Sequence, residues 1–179
     1  GVTVSASSGC SATATYAATA ATTTPSASVA YTFGGATTGS GNMTLQRCYG
    51  WRARNDGFNV HGTGKTLLID CDGSYNDDEG ASAHDTAYME IAGGQYRYNK
   101  QSGTGNVNDC TVVIGGNPLF ERNQRDGIPS PEGGGIAAFD NCRTIIVSAT
   151  CANNTGSGVR STSSVAVQVD GLLSGTGQG

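Results

Sequence analysis

The 179-residue sequence predicts an all-β fold, a single-stranded parallel β-helix wound in coils of about 22 residues. Two series of residues, in phase with each other, predict it. A composition rich in turn formers and poor in charge agrees with them.

The first series is apolar. Met43-Thr44-Leu45, Thr66-Leu67-Leu68-Ile69, Tyr88-Met89-Glu90-Ile91, Thr111-Val112-Val113-Ile114, Thr144-Ile145-Ile146-Val147 and Val165-Ala166-Val167-Gln168-Val169 are short strand-like runs. Aligning Leu45, Leu67, Met89, Val112, Ile145 and Val165 gives steps of 22, 22, 23, 33 and 20. Each run is too short and too β-branched for a helix, so the repeating unit is a strand with turns. The second series is Asn55, Asn76, Asn99, Asn123 and Asn153, at steps of 21, 23, 24 and 30. Asn suits tight turns because it tolerates left-handed backbone and bonds its own main chain. Stacked turns place Asn over Asn, each amide donating to the next carbonyl.

The elements follow in order. Residues 1–40 are expected to be an attachment or capping segment. They hold the low-complexity run Thr13 to Thr24 and a strand over Ser26 to Phe33, ended by Gly34-Gly35. Residues 41–179 are expected to form the β-helix. One coil is expanded: between Ile114 and Ile145 lies a Pro- and Gly-rich insertion holding three of the four prolines. Insertions in repeat folds become loops on one face, often the binding face. The first residue is Gly1 and the C-terminal run is Leu-Leu-Ser-Gly-Thr-Gly-Gln-Gly. A solenoid needs caps, so further chain or a partner subunit is expected beyond both ends.

Composition excludes several functions. Net charge is −4 and there is no basic stripe, which argues against nucleic acid. No run approaches the ~18 apolar residues of a membrane-spanning helix. No phosphate- or dinucleotide-binding glycine motif opens a helix, so no cofactor is expected. The six cysteines, at 10, 48, 71, 110, 142 and 151, include no CxxC pair, so no zinc is expected. Their spacing follows the coils and suits buried thiols stacked on neighbouring windings. A disulfide framework is the alternative for a protein that matures outside the cell.

Large polar and aromatic residues precede the turn asparagines. Trp51, Arg54, Tyr75, Tyr96, Tyr98, Phe120 and Arg122 are the candidate glycan-binding residues. Sugars offer apolar faces to rings and hydroxyls to charged groups, and coils stacked about 4.8 Å apart make a regular platform for a chain-like ligand. The competing reading has half of these rings filling the core. Acids also gather near the turns: Asp56, Asp77, Asp78, Glu79, Asp85, Glu121, Asp126 and Glu132. Glycoside cleavage uses two carboxyl groups, roughly 5–5.5 or 6.5–9.5 Å apart; Asp77, Asp78, Glu121 and Asp126 are the candidates. Asp77, Asp78 and Glu79 are also a conceivable calcium set, although no loop of known calcium-binding spacing is present. His61 and His84 are one coil apart, and His84 is followed by Asp85. A His-Asp pair beside a serine could serve acyl transfer, but no GxSxG elbow occurs, and loop-fixing histidines are the plainer reading.

Residues 43–110 resemble the β-helical tail fibre and tailspike proteins of bacteriophages, which are built like pectate lyases. The resemblance is carried by Asp56-Gly57-Phe58-Asn59-Val60-His61, Ile69-Asp70-Cys71, Tyr75-Asn76, Gly80-Ala81-Ser82-Ala83-His84-Asp85 and Ile91-Ala92-Gly93-Gly94-Gln95-Tyr96. It implies a right-handed β-helix on an extracellular virion. It also implies a homotrimer, other virion proteins held through the N-terminal segment, and contact with host surface polysaccharide. Some relatives cleave that polysaccharide and others only bind it; this chain is short for a depolymerase. His61, His84 and Asp85 match motif positions without an assigned role. The expected function is a virion fibre or spike. A polysaccharide depolymerase and an extracellular adhesin or filament subunit are the alternatives.

Overall fold

The structure, a computed structural model, describes residues 4–6, 13–14, 31–34, 42–63, 65–124, 133–162 and 166–176. Sixteen strands and no helix occur among them. Six of these strands stack as a parallel first face: β4 (Asn42–Gln46), β6 (Lys65–Ile69), β8 (Tyr88–Ala92), β11 (Thr111–Gly115), β14 (Arg143–Ala152) and β16 (Ala166–Thr176). A second face holds β9 (Gln95–Arg97), β12 (Leu119–Glu121) and the second half of β14, and bridges at Tyr49 and Asp72 extend it. The third face is β3 (Tyr31–Gly34), β5 (Phe58–His61), β7 (Ala81–Ala83), β10 (Ser102–Asn106), β13 (Gly134–Ala138) and β15 (Ser157–Ser161), again parallel. The chain therefore winds as a parallel β-solenoid of about five turns.

Two short strands at the start run the other way. β1 (Val4–Ala6) lies antiparallel on β4, and β2 (Thr13–Ala14) lies antiparallel on β3. Of the strand expected over Ser26 to Phe33, residues 31–33 are described; they lie in β3, which pairs with β5 and belongs to the solenoid. The other features of residues 1–40 fall outside the described residues.

Alternation builds the core. In a strand successive side chains point to opposite faces, and β6, β8 and β11 each bury every second residue. Leu45, Leu68, Ile91, Ile114 and Ile146 form one inward column, beside Met43, Thr66, Met89, Val112 and Thr144. The third face contributes Phe58, Ala81, Thr104 and Ile136. Burying each large aliphatic side chain is worth about 1.5–3 kcal/mol.

The register corrects the apolar alignment. Leu45 pairs with Leu68, Thr66 with Met89, and Val112 with Thr144. The step is 23 through Leu45, Leu68, Ile91 and Ile114, then 32 to Ile146 and 23 to Val169. The expected alignment of Leu45 with Leu67, of Leu67 with Met89 and of Val112 with Ile145 is one residue off, and Ile145 pairs with Gln168 rather than Val165. Both members of each Leu-Leu and Ile-Ile doublet are apolar, so the sequence does not mark which one faces in. The fifth run is also longer than expected, extending through Cys151 to Ala152.

Corners are marked by left-handed backbone in three columns. Arg47, Asp70, Gly93 and Gly116 end the first face; Arg52, Tyr75, Tyr98, Arg122 and Asn153 end the second; Gly62, Asp85, Asn108 and Asp140 end the third. Isolated non-Gly residues in this region are strained, yet here the strain recurs on each winding because stacked hydrogen bonds hold it.

The Asn ladder lies just after the second of these corners and corrects the expected one. Asn76 Nδ2 donates to Asn99 Oδ1 (3.1 Å), Asn99 Nδ2 to Asn123 Oδ1 (3.0 Å), and Asn123 Nδ2 to Asn154 Oδ1 (3.1 Å). Asn154, not Asn153, is the last rung. Asn55 is not a rung: Ala53 holds that level, its N–H donating to Asn76 Oδ1 (2.9 Å). The ladder asparagines are themselves buried and have negative φ; the left-handed residue is the one before each. Glycines make room beside them. A Cβ on Gly57, Gly80 or Gly103 would meet the amide of Asn76, Asn99 or Asn123 at 2.6, 2.8 and 2.9 Å.

Candidate functional site

The second corner carries an exposed row of rings. Residues in the left-handed conformation before the ladder throw their side chains outward, so Tyr75 and Tyr98 stand over one another on successive windings. Their rings stack at 4.8 Å and 8°. Trp51 meets Tyr75 edge-on at 6.3 Å, and Tyr49 meets Trp51 at 5.7 Å. Tyr49, Trp51 and Tyr75 are 60%, 44% and 39% exposed. Arg122 closes the row: its guanidinium lies 5.5 Å over the Tyr98 ring and donates to the Tyr98 hydroxyl. Arg97 lies over the same ring at 5.8 Å. Arg54 is exposed on the same corner, three residues beyond Trp51.

Two of the expected glycan-binding residues are elsewhere. Tyr96 and Phe120 are fully buried and stack on each other at 5.4 Å inside the second face. In β9 and β12 they point inward, whereas Tyr98 and Arg122, two residues on, point out. Tyr49 is the ring that the sequence reading passed over. It sits two residues before Trp51, the spacing that brings extended-chain side chains to one side.

Among the described residues the expected catalytic acids do not form an open pair. Asp77 lies 3.0 Å from Lys100. Glu121 lies between Arg97 (3.9 Å) and Arg122 (3.8 Å). Asp126 and Glu132 are outside the described residues. The cluster that does form joins Asp56, Asp78 and Glu79, whose carboxylate oxygens lie within 4.8 Å of one another. Asp77, placed with Asp78 and Glu79 in the sequence-based calcium set, faces Lys100 instead. Three carboxylates are a cation's ligand chemistry, though calcium takes six to eight oxygens.

Asp56 is the hub of this cluster. Its Oδ2 accepts from Asn59 Nδ2 (2.7 Å) and Ser82 Oγ (2.7 Å), and its Oδ1 from the Glu79 N–H (3.2 Å). Burial, with Asp56 and Asp78 beside it, pushes the Glu79 carboxyl well above the usual carboxylate range. A neutral Glu79 can share its proton with Asp56, which makes the cluster a corner clamp between two windings.

The histidines meet as the one-coil spacing suggests. His61 and His84 stack at 4.5 Å and 9°, and His61 Nδ1 lies 3.2 Å from Asp85 Oδ2. They occupy the third corner, on the far side of β5 and β7 from the ring row. Among the described residues none of the five cysteines is in a disulfide, and all five are buried. Cys48 and Cys71 stack on adjacent windings, as do Cys110 and Cys142.

Compared with known proteins, the chain matches no family model, no curated protein and no solved structure.

Proposed function

We propose that this protein is a non-enzymatic fibre or spike component of a virion, a β-helical shaft that lies along host surface polysaccharide. The observation that carries the reading is the row along the second corner, Tyr49 and Trp51 on one winding and Tyr75, Tyr98 and Arg122 on the next three. Tyr75 and Tyr98 stack on each other and turn ring edges outward, the exposed Tyr49 and Trp51 rings offer apolar surface to a sugar, and Arg122 and Arg54 offer donors to hydroxyl or acidic groups. Each contact is weak, so a homotrimer would supply avidity. In this reading the N-terminal segment ahead of β3 joins the shaft to other virion proteins.

Affinity electrophoresis through gels containing capsule or O-antigen polysaccharide tests it. Retardation is expected with a matching glycan, without release of reducing ends. Trp51→Ala and Tyr98→Ala should each weaken binding about tenfold, the loss of roughly one ring contact. Binding that survives both substitutions overturns the reading.

Depolymerase activity is the second reading, favoured by the raised proton affinity of Glu79 beside Asp56. Against it stands the burial of both carboxyls, which leaves little room for a sugar between them. Oligosaccharide release that disappears in Glu79→Gln would establish it.

A further inference from the structure

We propose that Cys110 and Cys142 form a disulfide that staples the expanded winding at its base. The two residues stand level on adjacent coils. Thr111 pairs with Arg143, and the Arg143 N–H donates to the Cys110 carbonyl at 2.8 Å. Level residues on paired parallel strands lie about 4.8 Å apart, inside the 4.4–6.8 Å Cα range of disulfides. The thiols already face each other, Cys110 Sγ donating to Cys142 Sγ at 2.8 Å.

The other stacked pair is arranged differently. Cys48 donates to the Gln46 carbonyl, and Cys71 to those of Leu45 and Ile69, each at 3.5 Å. Those thiols are shared between main chain and each other, and burial pushes Cys71 up to about 11. By contrast the Cys110 thiol is directed at Cys142, and that hydrogen bond holds Cys142 below the usual thiol range. Position also favours the staple. Adjacent windings are 23 residues apart through the first four windings of the first face and 32 residues apart between Cys110 and Cys142. The longer loop costs more closure entropy, and a covalent link removes that freedom from the unfolded chain.

The oxidant is a small-molecule disulfide such as oxidised glutathione. The Cys142 thiolate attacks it, releasing one glutathione thiolate and leaving a mixed disulfide. Deprotonated Cys110 then displaces the second glutathione. Two protons and two electrons leave the protein, and the glutathione disulfide becomes two thiols. The exchange takes place in the folding chain, before burial closes the site.

The full chain, refolded in a glutathione redox buffer, alkylated and digested with trypsin without reductant, tests this. Peptides 101–122 and 126–143 should appear joined, about 2 Da lighter than their sum, and separate on reduction. Cys48→Ser should keep the joined species, and Cys142→Ala should lose it. The unfolding midpoint of the oxidised wild type and of Cys48→Ser should fall on reduction, while that of Cys142→Ala should not. Two separate alkylated peptides from oxidatively refolded wild type overturn the proposal, as does a link from either cysteine to another.

Discussion

Asn99 ties three windings together through one side chain. Its Oδ1 accepts from the Asn76 N–H (3.0 Å) and Asn76 Nδ2, and its own Nδ2 donates to Gly73 O (3.0 Å) as well as to Asn123. All of these groups are buried, so truncation strands several at once. Asn99→Ala should cost about 3 kcal/mol, read as a lower urea midpoint. Asn55→Ala, on an exposed residue outside the ladder, should change stability by less than about 0.5 kcal/mol. Tyr96 predicts the opposite kind of result. It is fully buried, yet its hydroxyl has no hydrogen-bond partner among the described residues. Removing an unsatisfied polar atom without changing the ring is neutral or favourable. Tyr96→Phe should therefore leave the thermal midpoint unchanged or raise it by an amount worth up to about 1 kcal/mol. At this scale the sequence marked the asparagines as turn residues but could not separate Asn153 from Asn154. Both suit a turn; only the fold puts one in the left-handed corner and the next on the ladder.

At the scale of the element, the strand register is the quantity that matters. A one-residue slip exchanges the core face for the solvent face. Leu67 and Leu68 test this directly, because both sit in β6 and differ only in direction. Leu68 is fully buried, while Leu67 is partly exposed. Leu68→Ala should cost about 2–5 kcal/mol and Leu67→Ala under about 1 kcal/mol, by chemical denaturation. Equal costs would contradict the register. The corner then sorted the candidate rings: Tyr96 and Phe120 hold inward positions in β9 and β12, and Tyr98, two residues beyond Tyr96, is turned outward by its left-handed backbone. Their sequence contexts are alike, so the sorting required the strand positions of β9 and β12.

At the scale of the molecule, the Asp56–Glu79 clamp links stability to pH. The folded Glu79 carboxyl binds its proton more tightly than the unfolded one, whose pKa is about 4.3. The stability it contributes is fully present below that unfolded value and is lost as pH rises through the folded value. The wild type should therefore lose stability as pH rises through the raised Glu79 value, and Glu79→Gln should flatten that slope. Thermal midpoints of both proteins across pH 4 to 9 measure it. A wild-type curve parallel to that of the variant would remove the proton from the clamp.

The sequence by itself determined that this chain is a stacked solenoid, that its coil is a little over twenty residues, and that one coil is expanded. Repetition is a property of the linear chain, and a period survives small errors in alignment. Only the tertiary structure decided which member of each apolar doublet enters the core, which asparagines stack, and which rings face outward. Those choices depend on strand register, and register is set by contacts between windings 23 or 32 residues apart. The acid cluster has the same origin: Asp56 and Glu79 are separated by one winding in the chain and brought together only by the closure of the coil.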